Sequence, residues 1–376
     1  MNSVFPVNLH SHLEQPMFLG ESVSVSRYDL NKYAVFERLT DKQNSQFWRP
    51  NEIDLSRDRI DFNEKLSASE QHIFISNLKY QILLDSIQGR SPSQAFLPIC
   101  SVPELETWLS TWEYFETIHS RAYSHIIRNV FNDPTAIFNS IEATPEIRER
   151  ASSISDYYDR LIEKVHAYKL HGFGVHEVDG RKLDCTPNSV RRDLYLCMAT
   201  VNVLEGLRFY VSFACTFAFA ERGLMEGNAK EVKFIARDEA LHLQGTQECL
   251  KIMRHGIDSP EMKQVAESCE REVYEIFLKA ADQEKAWAKY LFSQGGMMGL
   301  NTEILCSYID YLTNQRLQAI GLQPTNGIKE NPLPWMSNWL SSDNVQVAPQ
   351  EVENSAYLTD AIDKNIQEDE FEGFSL

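Results

Sequence analysis

Residues 228–256 read NAKEVKFIARDEALHLQGTQECLKIMRHG, and their spacing decides the fold. Positions 232, 235, 239, 242, 246, 249 and 253 recur at the three-and-four interval of one helix face, which should be the buried stripe. They are Val232, Ile235, Glu239, His242, Thr246, Cys249 and Met253. A carboxylate and an imidazole therefore occupy core positions three residues apart, where both side chains leave the helix on one side. Burying an ionised carboxylate costs several kcal/mol unless it is paired or bound to metal.

The oddity repeats upstream. The stripe of a helix predicted over 103–131 runs through Trp108, Trp112, Glu116, His119, Tyr123 and Ile126, again with Glu and His at i, i+3. Two inward Glu-x-x-His units imply a shared cation. Carboxylate and imidazole donors suit iron or manganese better than copper or a thiolate-bound zinc. A third such pair, Glu163 and His166 in LIEKVHAY, lies on a mixed, polar face and reads as surface.

Two further acids fit the set. Asp85, in ISNLKYQILLDSIQG, is in register with Phe74, Leu78 and Gln81 on an inward stripe. Glu205 shares the stretch 194–220 with only one other charged residue, Arg208. Either acid alone reads more readily as a satisfied core carboxylate or a helix-end pairing than as a ligand. Together, four helices offer acid, Glu plus His, acid, Glu plus His, which is the ligand pattern of ferritin-like di-metal carboxylate bundles. Six protein ligands for two ions leave positions open for water or dioxygen. Asp238, beside Glu239, reads either as acceptor for the second ring N–H of a ligand His or as a surface partner of Arg237.

The rest of the chain is consistent with an all-α, ferritin-like bundle with extra helices. Helical periodicity predicts rods near 29–47, 68–89, 103–131, 145–170, 188–222, 228–256, 260–295 and 300–320. Ser67-x-x-Glu70 and Asn228-x-x-Glu231 read as capping boxes, and Ser91-Pro92 as a stop after the second rod. An Asp-Gly turn within Val175–Asp184 predicts one small β-hairpin. The organisation expected is an extended segment over 1–28, the helical domain over 29–340 and an acidic flexible tail over 341–376. The tail holds nine acidic residues against one Lys, yet ends on the apolar anchors Phe371, Phe374 and Leu376. Composition alone allows a docking peptide or a solubilising tail.

Charge and cysteine usage narrow the function classes. Lys and Arg number 36 against 54 Asp and Glu, a net charge of -18 over 376 residues. Such a surface repels phosphate backbones, so nucleic acid is not an expected partner. Seven scattered cysteines without a CxxC argue against a disulfide framework and fit a reducing, cytoplasmic setting. The N-terminus lacks a signal-peptide pattern, and the apolar run 209–220 is too short for a bilayer, so no membrane role is expected.

Tyr123 lies on the ligand face, four residues after His119. Phe209 and Phe213 follow Glu205 by four and eight residues, and Ile235 precedes Glu239 by four. Helix geometry stacks each of them a turn or two from a ligand. Periodicity leaves two readings: ordinary core packing around a bonded phenol, or a phenol near the metals inside a dry wall.

The segments NLKYQILLDSIQGRSP, ETIHSRAYSHIIRN, ARDEALH and SDNVQVAPQEVENSAYL resemble the radical-generating small (beta) subunit of class I ribonucleotide reductase, most closely the bacterial class Ia form. The likeness runs from EQPMFLG to the C-terminus. It implies that Asp85, Glu116, His119, Glu205, Glu239 and His242 hold a di-iron centre, two iron ions per chain. The ligand types accept manganese as well. By the same resemblance the centre and dioxygen oxidise Tyr123 to a radical, with Phe209, Phe213 and Ile235 as its pocket. Trp48 (in QFWRP), Asp238 and Tyr357 (in NSAYL) relay the oxidising equivalent to the large (alpha) subunit. There, ribonucleoside diphosphates are reduced. A homodimer, with the tail end docking the large subunit, is implied too.

Two positions depart from the pattern of bacterial relatives. Phe115 beside Glu116 and Ala122 beside Tyr123 replace small hydroxyl residues, which puts radical yield and lifetime in question. Two other functions fit parts of the pattern. A di-iron oxygenase acting on its own substrate would need an open pocket and no tail. A non-catalytic ferritin-like iron store would take many ions per chain and dispense with Tyr123.

Overall fold

The computed structural model describes Pro6, Val7 and residues 10–341, and within them fourteen α-helices and one hairpin. Helices α1 (Ala34–Ser45) and α2 (Ser56–Ile60), the latter continued by a π turn at Asp61–Lys65, lead to the rod α3 (Ala68–Gln88). Short α4 (Ser91–Ala95) turns the chain into α5 (Pro103–Val130). Short α6 (Pro134–Asn139) precedes α7 (Pro145–His171) and the antiparallel strands β1 (Gly174–Val178) and β2 (Arg181–Cys185). Next, α8 (Pro187–Val203), a π turn at Leu204–Arg208 and α9 (Phe209–Ala220) form one continuous rod. The chain continues through α10 (Glu226–Arg254), α11 (Pro260–Ser268), α12 (Glu270–Leu291), α13 (Thr302–Ala319) and α14 (Met336–Leu340).

Local chemistry explains most of these boundaries. Ser67 and Glu70 form the expected reciprocal cap at the start of α3. Asp179 and Gly180 both take positive φ (50° and 75°) between β1 and β2, the backbone a two-residue hairpin turn needs. The rods bury Trp, Phe, Leu and Ile in one principal core.

Three expectations need correction. The Asn228 capping box does not exist, because α10 already starts at Glu226. Asp58 instead accepts the amides of Gly227 (3.0 Å) and Asn228 (2.7 Å), and Asp61 accepts that of Met225 (3.1 Å). The cap thus comes from α2 and its π turn, far away in sequence, and Glu231 is left to pair with His125 at 2.7 Å. Helix α1 begins at Ala34 rather than 29, where the Tyr33 amide donates to Glu104 Oε1 at 2.8 Å. The rod expected over 260–295 is two helices, interrupted at Cys269 and finished at Leu291.

The apolar run 209–220 belongs to a rod of 34 residues that is long and apolar enough to cross a membrane. Its length therefore decides nothing. Its burial does: 94% of the apolar window is inside the molecule, as expected of a helix hydrophobic on all sides at the centre of a bundle.

Candidate metal centre

Four rods bring six donor side chains together. Asp85 comes from α3, Glu116 and His119 from α5, Glu205 from the π turn, and Glu239 and His242 from α10. All six are fully buried. They fall into two overlapping quartets whose donor atoms lie within 4.8 Å of one another: Asp85, Glu116, His119, Glu239, and Glu116, Glu205, Glu239, His242. Glu116 and Glu239 belong to both, so the quartets have two carboxylates in common. His119 Nδ1 lies 3.3 Å from Glu116 Oε2, 3.1 Å from Glu239 Oε1 and 3.9 Å from Asp85 Oδ2. His242 Nδ1 lies 3.0 Å from Glu116 Oε1 and 3.3 Å from Glu239 Oε2.

Many of these contacts are close without being aimed as hydrogen bonds. Both Asp85 oxygens, Glu116 Oε2, Glu205 Oε2, Glu239 Oε1 and His119 Nδ1 are buried without a hydrogen-bond partner. Orphaned buried donors and acceptors are rare in folded proteins, and six around one point fit a pair of cations. Electrostatics agrees. Burial pushes Asp85 and Glu205 well above the usual carboxylate range, with neighbouring carboxylates adding to it. Burial opposes charge on both imidazoles, yet Asp238, Glu116 and Glu239 raise His119, and Glu116 and Glu239 lift His242 to about 9. Glu239 is held below the usual range, because the Glu205 carboxyl and the His119 and His242 imidazoles close around it outweigh its burial. Protons thus serve as the cluster's positive charge, and metal binding would expel them.

Further side chains orient the donors. Asp238 is buried, and its Oδ2 lies 3.2 Å from His119 Nε2 and accepts from Trp48 Nε1 at 2.7 Å. The imidazole contact turns His119 Nδ1 toward the cluster. Asp238 Oδ1 also lies 3.7 Å from Arg237 Nε, but Asp238 is fully buried, which overturns its reading as a surface residue. Sequence reasoning missed the chain of donors behind Glu205. Gln88 donates to Glu205 Oε1, and Tyr158 donates to Gln88 Oε1 at 2.7 Å. Gln88 follows Asp85 by three residues and was findable by that spacing; Tyr158, on α7, carried no signal. Trp112 Nε1 donates to Glu116 Oε1 at 2.8 Å.

Tyr123 is fully buried, and its hydroxyl has no hydrogen-bond partner. Burial, then the charges of Asp85, Glu239 and Glu116, push the phenol well above the ordinary tyrosine value. Phe209, Phe213 and Ile235 are buried, and the two Phe rings stack with centroids 6.0 Å apart. Phe115 packs edge-on against Phe47, centroids 6.2 Å apart, so its bulk meets the neighbour of Trp48. Ala122 is fully buried. The third Glu-x-x-His pair stays outside: His166 is exposed and Glu163 pairs with Arg181. Tyr357, Phe371, Phe374 and Leu376 lie outside the described residues.

Comparison with known proteins agrees with this geometry. The family described as ribonucleotide reductase, small chain, matches residues 28–332. The chain is 57% identical over 374 residues to the ribonucleoside-diphosphate reductase subunit beta of Haemophilus influenzae, covering 100% of this chain and 99% of that one. It is 45% identical over 381 residues to the protein of that name from Enterobacteria phage T4, covering 98% and 97%. The fold is shared with the ribonucleotide reductase R2 subunit from Clostridium botulinum, at TM-score 0.73 and 23% identity over 90% of this chain and 98% of that one. It is shared too with the dimanganese(II)-NrdF of Streptococcus sanguinis, at TM-score 0.67 and 20% identity over 85% and 100%. The all-α ferritin-like bundle, the paired quartets at its centre and this likeness along the whole chain place the protein in the ribonucleotide reductase small-chain family.

Proposed function

We propose that this chain is the beta subunit of a ribonucleoside-diphosphate reductase, which makes and stores a one-electron oxidant at Tyr123 for use by a large subunit. The observation that carries this reading is the pair of buried quartets bridged by Glu116 and Glu239. Asp85 and His119 would hold one ion, Glu205 and His242 the other, with the two bridging carboxylates touching both. A bound pair of redox-active ions supplies, with dioxygen, the oxidising equivalent that takes an electron from Tyr123. Iron is the reading for these ions; the donor set takes manganese equally well.

The chain's own residues do the rest. Tyr123 gives up an electron and its hydroxyl proton, and we assign Asp85, the charge that acts most on the phenol, as the acceptor of that proton. The ring is fully buried, which shields it from bulk water and external reductants and so helps preserve the oxidised state. Trp48 and Asp238 form the exit. Their hydrogen bond joins an oxidisable indole to the carboxylate that orients His119. Asp238 holds the indole proton when charge moves through Trp48. Tyr357 is the next stepping stone, on a tail whose Phe371, Phe374 and Leu376 dock the large subunit. The working assembly is a homodimer joined to that subunit.

The test is reconstitution of the metal-free protein with ferrous iron and air, followed by visible absorption and electron paramagnetic resonance. A tyrosyl radical absent from Tyr123→Phe supports the reading. No radical in the wild type, with turnover of an independent substrate, would favour an oxygenase.

A further inference from the structure

Glu205 does not sit in regular α-helix. It occupies the second position of the π turn Leu204–Arg208, where the Phe209 amide reaches back to the Leu204 carbonyl. A π turn contains one residue more than an α turn, so everything beyond it is rotated by about 100° relative to an unbroken helix. The aim of Glu205, relative to both ends of the rod, depends on that extra residue staying where it is. π turns inside α-helices are uncommon and concentrate at functional sites, so something must hold this one.

Both flanks of the turn are pinned by side chains. Before it, Asn202 donates to Thr246 Oγ1 on α10 at 2.9 Å. At its end, Arg208 donates to Glu284 Oε1 (2.8 Å) and Gln283 Oε1 (2.7 Å) on α12. The backbone of the turn itself is gripped from a third helix. Arg316 of α13, only 6% exposed, donates from Nε to the Gly206 carbonyl at 2.9 Å. Its guanidinium carbon lies 4.7 Å from the ring centroid of Tyr210. These partners are a carbonyl and an aromatic face rather than a carboxylate, an expensive setting for a buried cation. Gly206 leaves room for the approach: a Cβ there would lie 2.8 Å from Leu243 Cδ1, 3.0 Å from Arg316 Cδ and 3.1 Å from Arg316 Nε.

We propose that Arg316 is a positioning residue for the second ion: by gripping the Gly206 carbonyl it holds the π turn, and thereby fixes the Glu205 carboxylate against His242, Glu116 and Glu239. The inference rests on the di-metal reading above. It has a consequence that general structural support would not share. Glu205 belongs to only one of the two quartets, whereas Asp85 and His119 complete the other without it. Loss of the grip should therefore weaken one ion and spare its neighbour.

The experiment titrates the full-length, metal-free protein with manganous ion alone, without oxygen. Binding isotherms and electron paramagnetic resonance distinguish a coupled pair from an isolated ion. Wild type should take two ions per chain, one per quartet, and show the coupled signal. Arg316→Met should bind the first ion as wild type does and the second about 10- to 100-fold more weakly. At intermediate loading it should show the signal of an isolated ion, as Glu205→Gln should. Arg316→Lys, which keeps a donor and the charge, should recover much of the second affinity. If Arg316→Met does not give a wild-type melting curve, Arg316→Gln replaces it, with the same selective loss expected. Wild type loading two ions while a folded Met or Gln variant binds both with wild-type affinity, or loses both equally, overturns the inference. Wild type failing to bind a pair overturns the di-metal reading instead.

Discussion

Trp48 donates its indole N–H to Asp238 at 2.7 Å, across 190 residues of sequence and inside a fully buried pocket. The same carboxylate oxygen lies 3.2 Å from His119 Nε2, and the Trp48 and His119 rings stack with centroids 6.5 Å apart. One acid thus joins a metal-facing imidazole to an oxidisable ring. Asp238→Ala orphans the indole N–H and should cost about 1–3 kcal/mol of stability, read by thermal or denaturant unfolding. On the relay reading it also leaves Trp48 without a proton acceptor. Turnover with the large subunit should then fall to background while the protein remains folded; near-normal turnover would remove Asp238 from the relay.

Tyr123 lies fully buried on the cluster face of α5 and is not one of the six carboxylate and imidazole donors. Tyr123→Phe should therefore keep wild-type metal content after reconstitution and lose the radical signal entirely. A radical of unchanged line shape in the variant would place the oxidised residue elsewhere.

Glu231 provides a pH test remote from the quartets. Burial raises its pKa to about 7, against the opposing effect of His125. A carboxyl whose folded pKa is raised favours folding fully below its unfolded value of 4.5, and loses that contribution as pH rises through about 7. Glu231→Gln removes this loss. The stability difference, variant minus wild type, should grow by roughly 1–3 kcal/mol between pH 5 and pH 8. Chemical denaturation at the two pH values measures it; a difference independent of pH would contradict the assignment.

On the proposed function, the tail serves radical use and not radical storage. Deleting 357–376 should leave the Tyr123 radical intact and abolish diphosphate reduction, through lost binding of the large subunit. Tyr357→Phe should bind that subunit normally and still fail to turn over. Binding by surface plasmon resonance and assays of both variants check this pair; retained turnover in either would contradict the role given to the altered segment.

What was legible in the sequence follows from one physical conflict. Glu116, His119, Glu239 and His242 stood out because they are polar residues on stripes that must be buried, and Glu205 because its neighbours are almost all apolar. The long rods were legible for the same reason, since period and burial go together. The π turn was not, because its flanks are so uniformly apolar that one extra residue breaks no visible polar-apolar period. Tertiary caps were also hidden. Asp58 closes α10 from a separate, five-residue helix, so no local pattern announces it, and the nearby Asn228 and Glu231 offered a false capping box. Gln88 and Tyr158, which steady Glu205, lie on two different rods, and only packing brings them into line.

The central claim is that two ions share Glu116 and Glu239. Metal analysis of wild type and of Glu239→Ala, each reconstituted with ferrous iron from the metal-free state, tests it most directly. The account predicts two ions per chain in the wild type, and at most one, weakly held, once a carboxylate common to both quartets is gone. A wild type that takes up many ions per chain, or a Glu239→Ala variant that still binds two as tightly, would contradict it.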